Sequence, residues 1–342
     1  MADAKKKESK YDLAIIGAGP AGLAASVYAS RYKLSNAVIG PEFGGYVATT
    51  HLVEDYLGFE TITGMDLAGK FTEHAKKFGT ELIQEQVSAA ERQANGRGDW
   101  LLTTWTDRKI RARAVLLATG TKHNKIGVPG EDKFEGRGVS YCVTCDAAFF
   151  KEKPVVIVGG GDSALKGALH LTEFASHLYV VHRRKDFRAE PTWVDRVKAK
   201  QNVTFILENE ITEVLGDGKV EGVKLKQPFK GKDSLDVDGV FIEIGSTPDP
   251  TLANAFGANI DDGNFVLVND CQRTSAERVW AAGDNTTNSA MFRQICTASA
   301  EGSVAAGDIY EHLNDPKAKW ADKGAVSEST PVQTVVTDGL TD

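Results

Sequence analysis

A strand that runs into a glycine turn is written twice in this chain, and nothing else in it constrains the fold as strongly. The first copy is Tyr11-Asp-Leu-Ala-Ile-Ile-Gly17-Ala-Gly19-Pro20-Ala21-Gly22, a β-branched run ending in G-x-G-x-x-G. The second is Pro154-Val-Val-Ile-Val-Gly159-Gly-Gly161-Asp162-Ser163-Ala164, ending in G-x-G-x-x-A. In such a turn the first glycine permits the tight reversal and the second lets backbone approach a pyrophosphate. The third lets the helix pack on the strand, and the helix N-terminus then offers free N–H groups and a positive dipole to the anion. One copy is an ordinary strand–turn–helix as readily as a nucleotide loop. Two in the same context argue for two nucleotide-binding units.

Each copy is followed by an Ala- and Leu-bearing helical stretch and a short apolar strand, Ala37–Ile39 and Leu178–Val181. Each unit then closes on an apolar strand meeting glycine, Val115-Leu-Leu-Ala-Thr119-Gly120 and Val240-Phe-Ile-Glu-Ile244-Gly245. A third segment, Arg278-Val-Trp-Ala-Ala-Gly283-Asp284, is a strand without its own fingerprint, followed by Arg293-Gln294 and a helix expected over Ile295–Leu313. The economical topology is α/β, with two Rossmann-like nucleotide-binding domains and the second inserted into the first. The expected boundaries are 11–124 with 251–314 for the first domain and 125–250 for the second. Pro129-Gly130 and Ser246-Thr-Pro-Asp-Pro250 are suitable crossings. Residues 1–10 read as a polar tail, and 315–342 as a mobile tail unless Val332–Val336 docks on the body or on a second subunit.

The 342 residues suit two domains, and the 34 glycines are concentrated in these turns. A net charge of −7 with no basic stripe argues against nucleic acid or an anionic membrane as partner. Lys5-Lys6-Lys7 before an apolar run imitates a signal peptide, but Gly17, Gly19, Pro20 and Gly22 interrupt it. With no run reaching the length of a membrane span, a soluble, cytoplasmic protein is expected.

The residues that follow each second strand choose the nucleotide. In the second unit these are His182-Arg183-Arg184, with Arg188 close behind. An acid there would accept from a ribose 2′-OH, whereas arginines grip a 2′-phosphate, so NADPH is favoured over NADH. In the first unit Glu42 lies only in the loop after the strand. The Asp of Gly283-Asp284 is instead placed to bond the ribityl chain of FAD, and the helix beginning at Arg293-Gln294 can aim its positive end at the flavin ring.

Four cysteines are too few for a disulfide-stapled scaffold. Cys142-Val-Thr-Cys145-Asp146 has the spacing of half a zinc site, a structural pair or a redox pair. Zinc would need two further ligands in a close pair. Cys271 and Cys296 are isolated and read as packing residues, so no metal site is expected. The adjacent carboxyl of Asp146 favours the redox reading, because thiol–disulfide exchange needs a proton donor and acceptor.

These residues, in order over about 11–314, resemble the low-molecular-weight bacterial-type thioredoxin reductases. The segments that carry the resemblance are the two fingerprints, Gly44-Gly45, Ala118-Thr-Gly120, Val128-Pro-Gly-Glu131, Gly138-Val-Ser-Tyr-Cys142-Val-Thr-Cys145-Asp146, His182-Arg-Arg184 with Phe187-Arg188-Ala189, and Ala281-Ala-Gly-Asp284 with Arg293-Gln294. The resemblance implies a homodimer holding FAD and binding NADPH, with Cys145 facing the flavin, Cys142 attacking a thioredoxin disulfide and Asp146 as acid/base. Electrons would pass from NADPH to FAD, to the Cys142–Cys145 disulfide and on to thioredoxin or a thioredoxin-like protein. A rotation of one domain against the other about 124–130 and 245–250 would expose each partner in turn. Around the flavin the resemblance places Gly17, Gly19, Pro20, Ala21, Gly22, Glu42, Gly45, Tyr46, Thr50, Asp55, Val87, Thr119, Gly120, Gly283, Asp284, Arg293, Gln294 and Ile295. Around NADPH it places Gly159, Gly161, Asp162, Ser163, His182, Arg183, Arg184, Arg188, Ile244 and Gly245.

The chain also departs from the family pattern. Tyr46 stands where Gln is usual, Asp55 where Asn is usual, and Lys166-Gly167 where paired acids are common. A carboxylate at Asp55 would destabilise a reduced, anionic flavin, which puts the flavin potential rather than flavin binding in question. A dithiol oxidase of the same fold is the closest alternative, and such relatives tend to lose the NADP arginines and carry histidines near the flavin. Here the arginines are present and 284–300 contains no histidine. A non-enzymatic flavin sensor would need neither the arginines nor Asp146.

Overall fold

The computed structural model describes residues 8–93, 99–289, 292–315 and 320. The first sheet contains β1 (Ser9–Ile16), β2 (Asn36–Ile39), β3 (Glu81–Ile83), β4 (Val87–Arg92), β5 (Trp100–Thr104) and β6 (Lys109–Leu117) in the order β3-β2-β1-β6-β5-β4. β5 alternates buried Trp100, Leu102 and Thr104 with half-buried Leu101 and Thr103, which suits its place in the antiparallel β4–β5–β6 ribbon. By contrast β2 and the second half of β1 are buried on both faces, as parallel central strands are. The sheet begins two residues before the expected strand. Ser9 and Lys10 are in register with Ile110 and Arg111 of β6, so the polar tail is shorter than 1–10.

The first glycine turn leads into α1 (Pro20–Arg31), which packs with α2 (Gly64–Lys77) on this sheet. The chain then crosses into a second parallel sheet. It is formed by β8 (Val139–Ser140), β9 (Pro154–Gly159), β10 (His177–His182), β11 (Val203–Leu207) and β15 (Gly239–Glu243), ordered β11-β10-β9-β15-β8. One face is covered by α5 (Asp162–Leu171) and α6 (Pro191–Lys198), through Leu165, Ala168, Leu171, Trp193 and Val197. The other is covered by an antiparallel ribbon of β12 (Ile211–Leu215), β13 (Gly222–Phe229) and β14 (Lys232–Asp236). Its inward Ile211, Val214, Val223 and Leu225 meet Val156, Val181, Val240 and Ile242. The short helices α3 (Glu131–Phe134) and α4 (Val143–Asp146) flank β8.

The return to the first sheet runs through α7 (Thr251–Phe256), whose Phe256 meets Trp100 edge-on at 4.8 Å, and then β17 (Val279–Ala281). β17 adds to the free end of β6 by pairing Val279, Trp280 and Ala281 with Val115, Leu116 and Leu117. The last helix, α8 (Ile295–Asn314), buries Ala298, Gly302, Ala305 and Ile309, a stripe at helical spacing, against α1. A Cβ at Gly302 would stand 2.0 Å from the Ala21 carbonyl oxygen, which is why this crossing is lined with small residues.

The two passages between sheets pair with each other. β7 (Lys122–His123) and β16 (Ser246–Thr247) form a two-stranded antiparallel link, closed by Asn124 N donating to Gly245 O at 2.9 Å and Thr247 Oγ1 to Asn124 Oδ1 at 2.8 Å. The described residues also bring in Trp320 from the expected tail. Its indole Nε1 donates to Thr274 O at 3.1 Å, and its ring packs edge-on to Trp280 at 4.7 Å. Val332–Val336 lies outside the described residues. Among the described residues no helix is long and apolar enough to cross a membrane.

Candidate active site

The first glycine turn and the third segment come together as the sequence order requires. Gly17 has φ +117°, and a Cβ there would stand 2.0 Å from the Ala118 carbonyl oxygen. That contact locks the turn between β1 and the Ala118-Thr119-Gly120 segment. A Cβ at Gly45 would lie 3.2 Å from Gly19 Cα, and one at Gly283 would lie 3.0 Å from Ala21 Cβ. Gly17–Gly22, Gly45, Gly120 and Gly283-Asp284 therefore border one cleft. At Gly19 a Cβ would project into open space, and no side chain caps α1 there. The free N-terminal N–H groups of α1, with Pro20 at its first position, are those a pyrophosphate needs, so the residues fit FAD.

Asp284 is mostly buried; burial raises its pKa, with Glu301 adding to the effect and Arg293 opposing it. The Arg293 guanidinium lies 4.2 Å from the Phe265 ring centroid, and its Nε is buried without a hydrogen-bond partner. Gln294 caps α8, its backbone N–H donating to Thr297 Oγ1 at 3.1 Å. Ile295 opens that helix, and Thr50 Oγ1 donates to Tyr46 O at 3.0 Å. Burial, with Glu243 and Asp284 nearby, pushes the Tyr46 hydroxyl up to about 12. Its ring lies 4.6 Å from that of His123 on the link between sheets. Glu42 and Thr119 are exposed, and Val87 is buried at the start of β4.

The second turn is built in the same way. A Cβ at Gly159 would meet the Glu243 carbonyl oxygen at 2.2 Å, whereas one at Gly161 would meet nothing. Arg188 N donates to Gly160 O at 2.8 Å, and Asp162 Oδ1 accepts from Glu190 N at 2.7 Å. These bonds fold the 187–190 segment back over the turn. Arg183, Arg184 and Arg188 are exposed beside it, as is Ser163, which fits a 2′-phosphate ligand. His182 is different: its ring is buried beneath Gly160 and stacked on Phe187 at 5.4 Å, so it supports the turn from below. Ile244 and Gly245 run from β15 into the link.

Cys142 and Cys145 form a disulfide, which removes the zinc reading of the pair. Cys142 is half-buried and Cys145 exposed. The Cys142 Sγ accepts from Cys145 N at 3.2 Å, and Asp146 N donates to Cys142 O at 3.2 Å, so α4 holds all three residues in one turn. α4 lies against α5 through Val143, whose Cγ2 is 2.9 Å from where a Cβ of Gly167 would sit. Gly167, a departure from the family pattern, thus makes room for the redox turn. Cys296 corrects an expectation. It is exposed rather than packed, because the small-residue stripe of α8 faces α1 and Cys296 lies off it. Cys271 is partly buried.

The other departures meet across the two halves. Lys166 Nζ donates to Asp55 Oδ2 at 2.9 Å, with side chains 17% and 32% exposed. Arg196 Nη1 pairs with Glu54 at 2.8 Å beside it. The negative charge of Asp55, which the sequence set against a reduced flavin, is thus met by the Lys166 ammonium. Lys166 on α5, the helix of the second fingerprint, and Arg196 on α6 thus bring the second half against the 46–56 loop of the first.

A profile of the pyridine nucleotide-disulphide oxidoreductases matches residues 11–302. The thioredoxin reductase of Bacillus subtilis (strain 168) is 41% identical over 316 residues, covering 90% of this chain and 96% of that protein. This chain belongs to the thioredoxin reductase family. Among solved thioredoxin reductases, that of Lactococcus lactis in its FR conformation superposes with a TM-score of 0.82 at 32% identity, covering 88% of this chain and 98% of that one. The Streptococcus pyogenes thioredoxin reductase is more similar in sequence, at 36%, and covers 90% of this chain and 99% of that one, yet its TM-score is 0.58.

Three acidic residues of this thioredoxin reductase, two of which order its loops, were not singled out for a role from the sequence. Glu301 on α8 accepts from Gly283 N at 2.7 Å, Ser289 Oγ at 2.6 Å and Thr286 Oγ1 at 3.1 Å, fixing the loop that carries Asp284. Glu131 accepts from Gly127 N at 2.6 Å, Ile126 N at 2.9 Å and Tyr141 Oη at 2.7 Å, tying the crossing to the residue before Cys142. Its place in Val128-Pro-Gly-Glu131, an acid opening a short helix after a turn, was the available signal. Burial raises Glu243, at the end of β15, to about 8. Nothing in its local sequence distinguishes it.

Proposed function

We propose that this chain is an NADPH-dependent thioredoxin-disulfide reductase whose first half, 11–124 with 251–314, holds FAD and whose second, 125–250, binds NADPH and carries the redox pair. One observation supports this above the rest. The Cys142–Cys145 disulfide sits on α4, packed against the helix of a nucleotide turn that is flanked by exposed arginines, in a chain that carries a second such turn. FAD, when bound, would take a hydride from NADPH and pass two electrons to that disulfide. The chain's own residues do the rest. The open N-termini of α1 and α5 bind the two pyrophosphates, and Arg183, Arg184 and Arg188 hold the 2′-phosphate. Once reduced, the Cys142 thiolate attacks one sulfur of the partner's disulfide and forms a mixed disulfide. Cys145 then attacks Cys142 Sγ, restoring the intramolecular bond and releasing the partner as a dithiol. Asp146 takes and returns the protons at the cysteine sulfurs, two per partner disulfide reduced.

The partner is a thioredoxin or a thioredoxin-like disulfide protein, the oligomer a homodimer and the compartment the cytoplasm. The redox turn reaches the surface, with Cys142 half-buried and Cys145 exposed, and the following Phe149, 72% exposed, offers a docking protein an apolar footing beside the disulfide. The arrangement described is the one for flavin reduction. The contacts of α5 and α6 with the 46–56 loop and the likeness to the FR conformation of the Lactococcus lactis protein support that reading. Rotation about the β7–β16 link would then carry the disulfide to the flavin. A coupled assay with NADPH, thioredoxin and a chromogenic disulfide tests the proposal. Turnover is expected with the native chain and none with Cys142→Ser; equal turnover in the two would refute the assignment.

A further inference from the structure

His51 and His170 face each other where the two halves meet, one from the loop beside the flavin cleft and one from α5. Their rings stack at 3.5 Å between centroids, 18° from parallel. Glu173, in the turn after α5, completes the group, and one ligand atom from each of the three lies within 4.8 Å of the others. His170 is only 7% exposed, and its Nδ1 is buried without a hydrogen bond. That nitrogen lies 3.6 Å from Glu173 Oε2, too far for a hydrogen bond.

We propose that His51, His170 and Glu173 bind a divalent transition ion of the zinc class, and that the ion pins the two nucleotide-binding halves together. Two imidazoles and a carboxylate form a donor set suited to zinc, with a water as fourth ligand. Ligand bonds of about 2.0–2.2 Å set donor atoms in a tetrahedral site roughly 3.3 Å apart. The Nδ1–Oε2 separation of 3.6 Å is already close to that. Closing the set takes a turn of the His51 ring and of Glu173, whose side chain is 52% exposed and free to move. Aromatic packing, which includes Phe174 edge-on to His170 at 5.2 Å, accounts for the stacked rings. It does not account for an unbonded buried nitrogen facing a carboxylate, an arrangement that is costly when left unmade. Ligation satisfies it. Because His51 belongs to the first half and His170 and Glu173 to the second, a bound ion resists any rotation between them. This last consequence rests on the catalytic cycle proposed above.

The test uses the FAD-loaded chain with its disulfide oxidised, so that Cys142 and Cys145 cannot chelate. Equilibrium dialysis against Zn²⁺ is expected to load one ion per chain. Loading should vanish in His51→Ala, and Glu173→Gln should weaken it at least tenfold. Both residues are exposed enough to substitute without opening the core, unlike His170. No loading of the native chain, or equal loading of the native chain and His51→Ala, overturns the site. For pinning, Zn²⁺ should slow thioredoxin-linked turnover in the native chain and leave His51→Ala unaffected, while NADPH still reduces the flavin in both. Equal inhibition in the two would mean capture by the reduced dithiol and overturn pinning. A flavin that NADPH cannot reduce would sink the catalytic reading while leaving the dialysis result intact.

Discussion

The loop that carries Asp284 and the helix that opens at Arg293-Gln294-Ile295 are held together far from the cleft, by Arg273 and Asp308. Arg273 Nε donates to Asp308 Oδ2 at 2.5 Å and Nη2 to Oδ1 at 3.3 Å, with both side chains 4% exposed. Trp280 Nε1 on β17 donates to the same Oδ2 at 2.9 Å. Asp308→Ala removes these three bonds and leaves a guanidinium in the core that, among the described residues, faces the Trp320 carbonyl, at 3.1 Å, and the Trp320 ring, at 5.0 Å. Breaking a buried pair from one side costs about 3–5 kcal/mol, because the surviving charge has lost both its water and its partner. For a unit the size of the flavin half this is a fall in Tm of roughly 6–20 °C. FAD should be released at the same step, since β17 leads to Gly283-Asp284 and α8 begins at the flavin-side residues. Thermal unfolding followed by flavin fluorescence and circular dichroism reads both events. The double variant Arg273→Met/Asp308→Leu, which removes the charges together, should recover most of the loss. A loss under about 1 kcal/mol in Asp308→Ala, the level of an exposed pair, would show that Arg273 is not desolvated as described.

Three further perturbations probe other parts of the account. Gly17→Ala forces a Cβ to 2.0 Å from the Ala118 carbonyl at φ +117°; the purified chain should carry far less FAD per mole by absorbance, and full occupancy would contradict the turn's role. Lys166→Glu sets two carboxylates face to face across the halves, an effect of about 1–2 kcal/mol for a half-buried pair, or roughly 5–30-fold. Rapid-mixing measurements should show slower NADPH-driven flavin reduction, rescued by adding Asp55→Lys; the absence of rescue would refute the ion pair's role. Glu243, held near 8 instead of its ordinary 4.5 by burial, stays protonated in the folded chain where the unfolded chain has lost its proton. Stability of the apoprotein should therefore fall as pH rises from about 4.5 through about 8, by at most about 1.4 kcal/mol per unit. Urea titrations of Glu243→Gln should lack that slope; an unchanged slope would assign it elsewhere.

Local pattern made much of this legible, and contact between distant segments did not. The two glycine turns, the strands feeding them and the third segment ending Gly283-Asp284 follow from period, β-branched runs and turn residues, all short-range signals. The boundary at Ser9 was missed because a polar residue at a strand's end looks like a tail until β6 is seen beside it. Cys296 was misread because a helix full of small residues does not say which face is covered until α1 is placed on it. Asp55 and Lys166 each looked like an isolated oddity, and only the meeting of two halves shows that one answers the other. His51 and His170 carry no local signal at all.

Anaerobic titration with NADPH, comparing the native chain with Cys142→Ser, tests the central claim most directly. Both should show bleaching of the flavin band. The native chain should consume one more equivalent before full bleaching, because its disulfide draws two electrons through the flavin, and should then deliver them to added thioredoxin. Identical end points, or a flavin that NADPH leaves oxidised, would contradict the path from nucleotide to flavin to the Cys142–Cys145 pair.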